Sequence, residues 1–66
     1  MPDLADFNTV KQVAEYLNLP RGTLYDIVEA GRIGHIRLSE RVIRIRREDV
    51  LAYLEANTHE PKEMKK

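Results

Sequence analysis

Residues 9–31, TVKQVAEYLNLPRGTLYDIVEAG, decide the fold. Val10, Val13, Ala14 and Leu17 recur at i, i+3, i+4 and i+7, which places them on one face of a helix. Leu24, Ile27 and Val28 repeat the spacing, and Gly31 follows where a left-handed residue commonly ends a helix. Asn18-Leu19-Pro20 between the two runs is too short for anything but a sharp reversal. Two short amphipathic helices joined so tightly form a helix-turn-helix, in which the second helix can enter a DNA major groove. Thr9 is a suitable N-cap for the first helix, and Gln12 three residues later completes a capping box. The second helix begins at Pro20 or Arg21, because a proline in the first turn loses no helical hydrogen bond.

Outward from this stretch the pattern changes. RIGHIRLSERVIRIR, residues 32–46, alternates apolar residues with arginine in Ile36/Leu38 and in Ile43/Ile45, the period of a half-buried strand. Ser39-Glu40-Arg41 lies between them as a short polar loop. A β-hairpin is expected, apolar side chains inward and arginines outward. A third helix begins near Arg47. Its first turn holds Glu48 and Asp49, where acids favour the positive end of the helix dipole, and Val50, Tyr53 and Leu54 form its apolar face. Asn57 is a reasonable stop. Residues 1–8 read as a short arm from which Leu4 or Phe7 can pack back on the core, and residues 58–66 as a disordered tail. The order helix, turn, helix, hairpin, helix over residues 9–57 is a mainly α fold with a β-hairpin, a minimal winged helix-turn-helix.

Composition narrows the function. Sixty-six residues make one small domain with a marginal core. There is no cysteine, so neither a disulfide nor a thiolate metal site is available. The absence of a long apolar run or a signal-peptide pattern points to an intracellular, cytoplasmic protein. The net charge of zero hides a segregation: residues 1–31 carry −3, residues 32–47 carry +5 with six arginines, and residues 48–66 carry −2. Overall neutrality argues mildly against a nucleic-acid partner, while the central block argues for one, since local potential governs a binding face. No nucleophile–base pair, phosphate loop or metal motif is visible, which argues against an enzyme. His35 and His59 are isolated, and Asp26 and Glu29, three apart on the second helix, read as a solvated face.

The chain resembles small helix-turn-helix proteins of the excisionase type, the recombination directionality factors, which are related to MerR-type DNA-binding domains. The resemblance rests on Thr9, Val10, Val13, Ala14 and Leu17, on Thr23-Leu24-Tyr25 and Gly31, and on Arg44-Ile45-Arg46-Arg47-Glu48-Asp49-Val50 with Tyr53-Leu54. It implies a double-stranded DNA partner in a bacterial or phage-infected cell, adjacent copies of the chain bending the DNA, and an integrase directed towards excision. A small transcriptional regulator with the same contacts, or a protein-interaction module of the anti-repressor type, are the alternatives. No cofactor, small-molecule ligand or membrane contact is expected.

Relatives often carry bases where this chain has Asp26 and Glu29, glycines where the wing has Ser39-Glu40-Arg41, and serine at Pro20. The acidic pair moves the expected DNA contact to the N-terminal end of the second helix: Arg21, which can bind guanine bidentately, Gly22, which admits a sugar–phosphate chain, and Thr23. Tyr25 either bonds a phosphate or flanks the core. Asp26 either repels phosphate or accepts from a cytosine amino group. On and near the wing, Arg37, Arg41, Arg44 and Arg46 are candidates for phosphate or minor-groove contact, although some can pair with Glu40, Glu48 or Asp49.

Overall fold

The structure, a computed structural model, describes residues 3–59. The tail expected over 58–66 therefore lies outside the described residues from 60 onward. The first helix, α1 (Val10–Leu17), opens on the expected capping box: Gln12 N–H donates to Thr9 Oγ1 at 3.0 Å, and Thr9 N–H donates to Gln12 Oε1 at 2.7 Å. It stops at Asn18, which adopts the left-handed conformation at φ 59°. The N–H groups of Asn18 and Leu19 turn back to the carbonyls of Glu15 and Ala14 at 3.2 and 2.8 Å. Two of the carbonyls that a helix end leaves orphaned are satisfied in this way.

Pro20 is the N-cap of α2 (Arg21–Glu29), so the proline stands just before the helix rather than in its first turn. The same closure ends α2. Gly31 takes φ +72°, its N–H donates to Val28 O at 2.9 Å, and Arg32 N–H donates to Ile27 O at 3.1 Å. The left-handed φ is costly for any residue with a Cβ, which explains a glycine here.

Three short strands follow a different rule from the one expected. The first, β1 (Phe7–Asn8), comes from the N-terminal arm; β2 (Ile36–Arg37) and β3 (Ile43–Arg46) form the hairpin. They make one antiparallel sheet in the order β1-β3-β2. The hairpin register pairs Ile36 with Arg44 and Arg37 with Ile43. Residues facing each other across a pair share a face, so the two apolar pairs lie on opposite faces of the ribbon. The expectation that Ile36, Leu38, Ile43 and Ile45 all point inward is therefore corrected. Ile43 and Ile45 enter the core, whereas Ile36 is half-buried and Leu38 is 63% exposed on the outer face. A shift of one residue in pairing exchanges the two faces of a strand, and periodicity within each strand carries no information about it.

The same register explains the arm. Asn8 pairs with Ile45 and shares its core face, while Phe7 pairs with Arg46 and points to solvent, 59% exposed. Of the two arm residues that are alternatives for packing back on the core, it is Leu4 that does so.

The last helix, α3 (Arg47–Ala56), runs from the end of β3 and buries Val50, with Tyr53 and Leu54 packed at the edge. Arg47 ties the arm to it. Its N–H donates to Asp6 O at 3.1 Å and its Nη2 to Leu4 O at 3.1 Å. The core gathers Val10, Val13 and Ala14 of α1, Leu24 and Val28 of α2, Ile33, Ile43 and Ile45, Val50 and Leu4. Asn8 is its one buried polar residue among the described residues. No helix among them is long and apolar enough to cross a membrane.

Candidate nucleic-acid interface

The fold brings the singled-out residues to two places. Arg21, Gly22 and Thr23 form the first turn of α2, all exposed. Pro20 supplies no side-chain cap, so the first N–H groups of the helix, which have no helical acceptor, lack a capping partner as well. A Cβ built on Gly22 meets nothing within 4 Å, so no neighbour within the protein demands the glycine. Tyr25 is 42% exposed, outside the set of side chains packed against the core, and Asp26 is exposed beside it.

The wing is the second place. Its tip is the turn Ser39–Val42, closed by Val42 N–H donating to Ser39 O at 3.3 Å. Arg37, on the core-side face of β2, reaches across to α2. Its Nη2 donates to Glu29 Oε2 at 3.0 Å, and its Nη1 donates to Glu40 O at 3.1 Å in the wing turn. One guanidinium thus joins the C-terminal end of α2 to the wing tip. This contact links the two places. It also splits the acidic pair, leaving Glu29 engaged and Asp26 without an ion-pair partner among the described residues.

Internal pairing sorts the arginines. Arg46 is the most fully held, with Nε and Nη2 on Asp49 at 2.9 and 3.2 Å and Nη1 on Glu48 at 3.2 Å. Arg47 is bound to Leu4 O and lies 3.5 Å from Asp6 Oδ1, and Arg44 Nη1 donates to Ile43 O at 2.9 Å. Arg21, Arg32 and Arg41 make no salt bridge or side-chain hydrogen bond among the described residues. Arg32 was not among the residues singled out from sequence. Its only signal there is its place directly after Gly31, between helix and wing.

The fork of Arg46 on Asp49 is the main electrostatic feature outside the two places. The hydrogen bond from Arg46 holds the Asp49 carboxyl below the ordinary aspartate range against an opposing desolvation, with a smaller pull from nearby His35. Asp49 also lies over Gly34, where an added Cβ would stand 2.7 Å from its Oδ1, so a side chain here would have to displace the Asp49 carboxylate. His35 hydrogen-bonds Ile33 O through Nδ1 at 2.9 Å. Among the described residues no cluster of His, Cys, Asp and Glu has the makings of a metal site.

A depressed carboxylate stabilises the fold above its unfolded-state pKa near 4, and that contribution fades as pH falls through the lower folded value. The stability difference between the parent and Asp49→Asn should therefore be constant above about pH 5 and shrink towards pH 3. Urea denaturation at a series of pH values measures it. A difference that does not change over that range would show that the ion pair contributes nothing to folding.

Two tightly joined helices, the second open at its N-terminal end and braced to a β-hairpin, constitute a winged helix-turn-helix. A family model described as a helix-turn-helix domain matches residues 9–58. The chain belongs to that family, one of small excisionase-like DNA-binding domains, and duplex DNA is the partner the family defines. No curated protein matches the chain closely enough to count as a relative.

Proposed function

We propose that this protein is an architectural DNA-binding factor of the excisionase type. The N-terminal turn of α2 enters the major groove, the wing lies against the adjacent minor groove or backbone, and adjacent copies bend the DNA and direct an integrase towards excision. The observation that carries the DNA contact is the sorting of the arginines. Those without an internal partner among the described residues, Arg21, Arg32 and Arg41, stand at the start of the recognition helix, just past its end, and in the wing turn. Arg46, with three nitrogens on two carboxylates, is the least available of the candidates. Arg37 serves first as a brace. One module of this size buries limited surface, so a lone copy binds modestly, and neighbouring copies supply the affinity.

Selection of bound duplexes from a random-sequence pool, followed by titration of variants, tests the reading. Arg21→Ala should cost about 1–3 kcal/mol on the selected site and much less on unrelated DNA, as expected of a guanine contact. Arg41→Ala should weaken binding to all duplexes alike and flatten the log–log salt slope by about 1. If neither variant changes binding, the helix N-terminus and the wing lie outside the interface. An integrase-dependent excision assay separates the architectural role from that of a transcriptional regulator.

A further inference from the structure

The wing presents apolar side chains where a solvent-facing turn would ordinarily be polar. Leu38 is 63% exposed and Val42 is 37% exposed. They face each other across the loop, with Leu38 N–H donating to Val42 O at 2.8 Å, and lie beyond Ile43, the last side chain of the hairpin that enters the core. Arg41, without an internal partner among the described residues, sits between them in the turn. Arg37 also links the tip to α2, donating to the Glu40 carbonyl and to Glu29.

We propose that Leu38 and Val42 form an apolar wedge that enters the DNA minor groove and parts one base step, kinking the duplex beside the site occupied by α2. The inference rests on the DNA-binding reading above and supplies the bending that an architectural role needs. Size decides between DNA and a protein as the occupant. Two exposed aliphatic side chains fall far short of the roughly 800 Å² per partner that a stable protein interface buries. A minor-groove wedge needs only one or two such side chains, because they replace the stacking of a single step. Burying two aliphatic groups also returns free energy of the same order as unstacking that step requires. Arg41 supplies the positive charge drawn to the groove. Glu40 opposes entry, so the guanidinium beside it must meet the phosphates while the Glu40 carboxylate stays in water.

The test places 2-aminopurine at successive positions of a duplex selected from the random pool, and measures its fluorescence and the end-to-end energy transfer with and without protein. The wild type should brighten the probe at one step and shorten the end-to-end distance. It should bind a duplex carrying a mismatch at that step about tenfold more tightly, since the unstacking is already done. The double variant Leu38→Ala/Val42→Ala, which removes no core side chain, should bind with no brightening, no shortening and no mismatch preference. A bound wild-type complex with no brightened step overturns the wedge while leaving the DNA-binding reading intact. A double variant that still brightens and bends overturns it too. Self-association of the free protein that the double variant abolishes would assign the patch to a second copy instead. Absence of any duplex binding overturns both readings together.

Discussion

Leu24→Ala is expected to remove much of the protein's folding free energy and to lower its melting midpoint by about 10 °C or more. Leu24 is fully buried at the inward face of α2, where that helix meets α1. Truncation removes its transfer free energy and opens a cavity, at a cost of about 2–5 kcal/mol. A domain of this length has little to lose, because a single small core rarely supplies more than about 3–5 kcal/mol and there is no disulfide to support it. At roughly 4–8 °C per kcal/mol for domains of this size, even the lower cost lowers the melting midpoint by about 10 °C or more. Circular dichroism through a thermal and a urea transition measures it. A midpoint within a few degrees of the parent would mean that α2 is not held to the fold through this side chain.

Asn8→Ala should be almost as damaging, for the opposite chemical reason. Asn8 is 1% exposed, and its side chain holds three backbone groups. Its Oδ1 accepts from Ala5 N–H at 2.8 Å, and its Nδ2 donates to Ala5 O at 2.8 Å and to Ile45 O at 3.1 Å. Alanine leaves all three without that partner. Water can reach the two at Ala5, while the Ile45 contact is buried, so we expect a loss of about 2–4 kcal/mol at roughly 1–3 kcal/mol per unsatisfied buried group. Asn8→Asp refines the test. An ionised carboxylate would be buried facing two carbonyl oxygens, which raises its folded pKa above the unfolded value. Protonation then favours the folded state, so this variant should gain stability as pH falls from 7 towards 4, where the Asn8→Ala variant should not. Equal urea midpoints for parent and Asn8→Ala would remove Asn8 from the account of how the arm is held.

What was legible in the sequence is what local chemistry specifies. The Thr9–Gln12 capping box, the stop at Gly31, the tight link at Asn18 and the start of α3 at Arg47 each depend on residues within a few positions of one another. The side chains of Val13, Leu24 and Val50 follow from helical period alone. The sheet was less legible because its content is non-local. The alternation in Ile36/Leu38 and Ile43/Ile45 is correct within each strand, yet the pairing of Arg37 with Ile43 puts the two apolar sets on opposite faces. The same cause hid β1: only its pairing with β3 sends Asn8 inward and Phe7 outward. Around the candidate interface, the residue types pointed to DNA. Which arginines remain available depended on carboxylates brought from elsewhere, such as Glu29 to Arg37, and on the N3 acid Asp49 folding back on Arg46.

That sorting makes the salt dependence of binding the most direct test of the central claim, that the exposed turn of α2 and the wing meet duplex DNA through the arginines left free. Each phosphate neutralised contributes about −0.9 to the slope of log K against log salt concentration. Phosphate contacts by Arg32 and Arg41, with Arg21 on a base edge and the other arginines kept in their internal contacts, predict a slope of about −2 for one copy on a short duplex. Fluorescence anisotropy across a series of salt concentrations measures it. A slope indistinguishable from zero, or no binding to duplex DNA at low salt, would contradict the account.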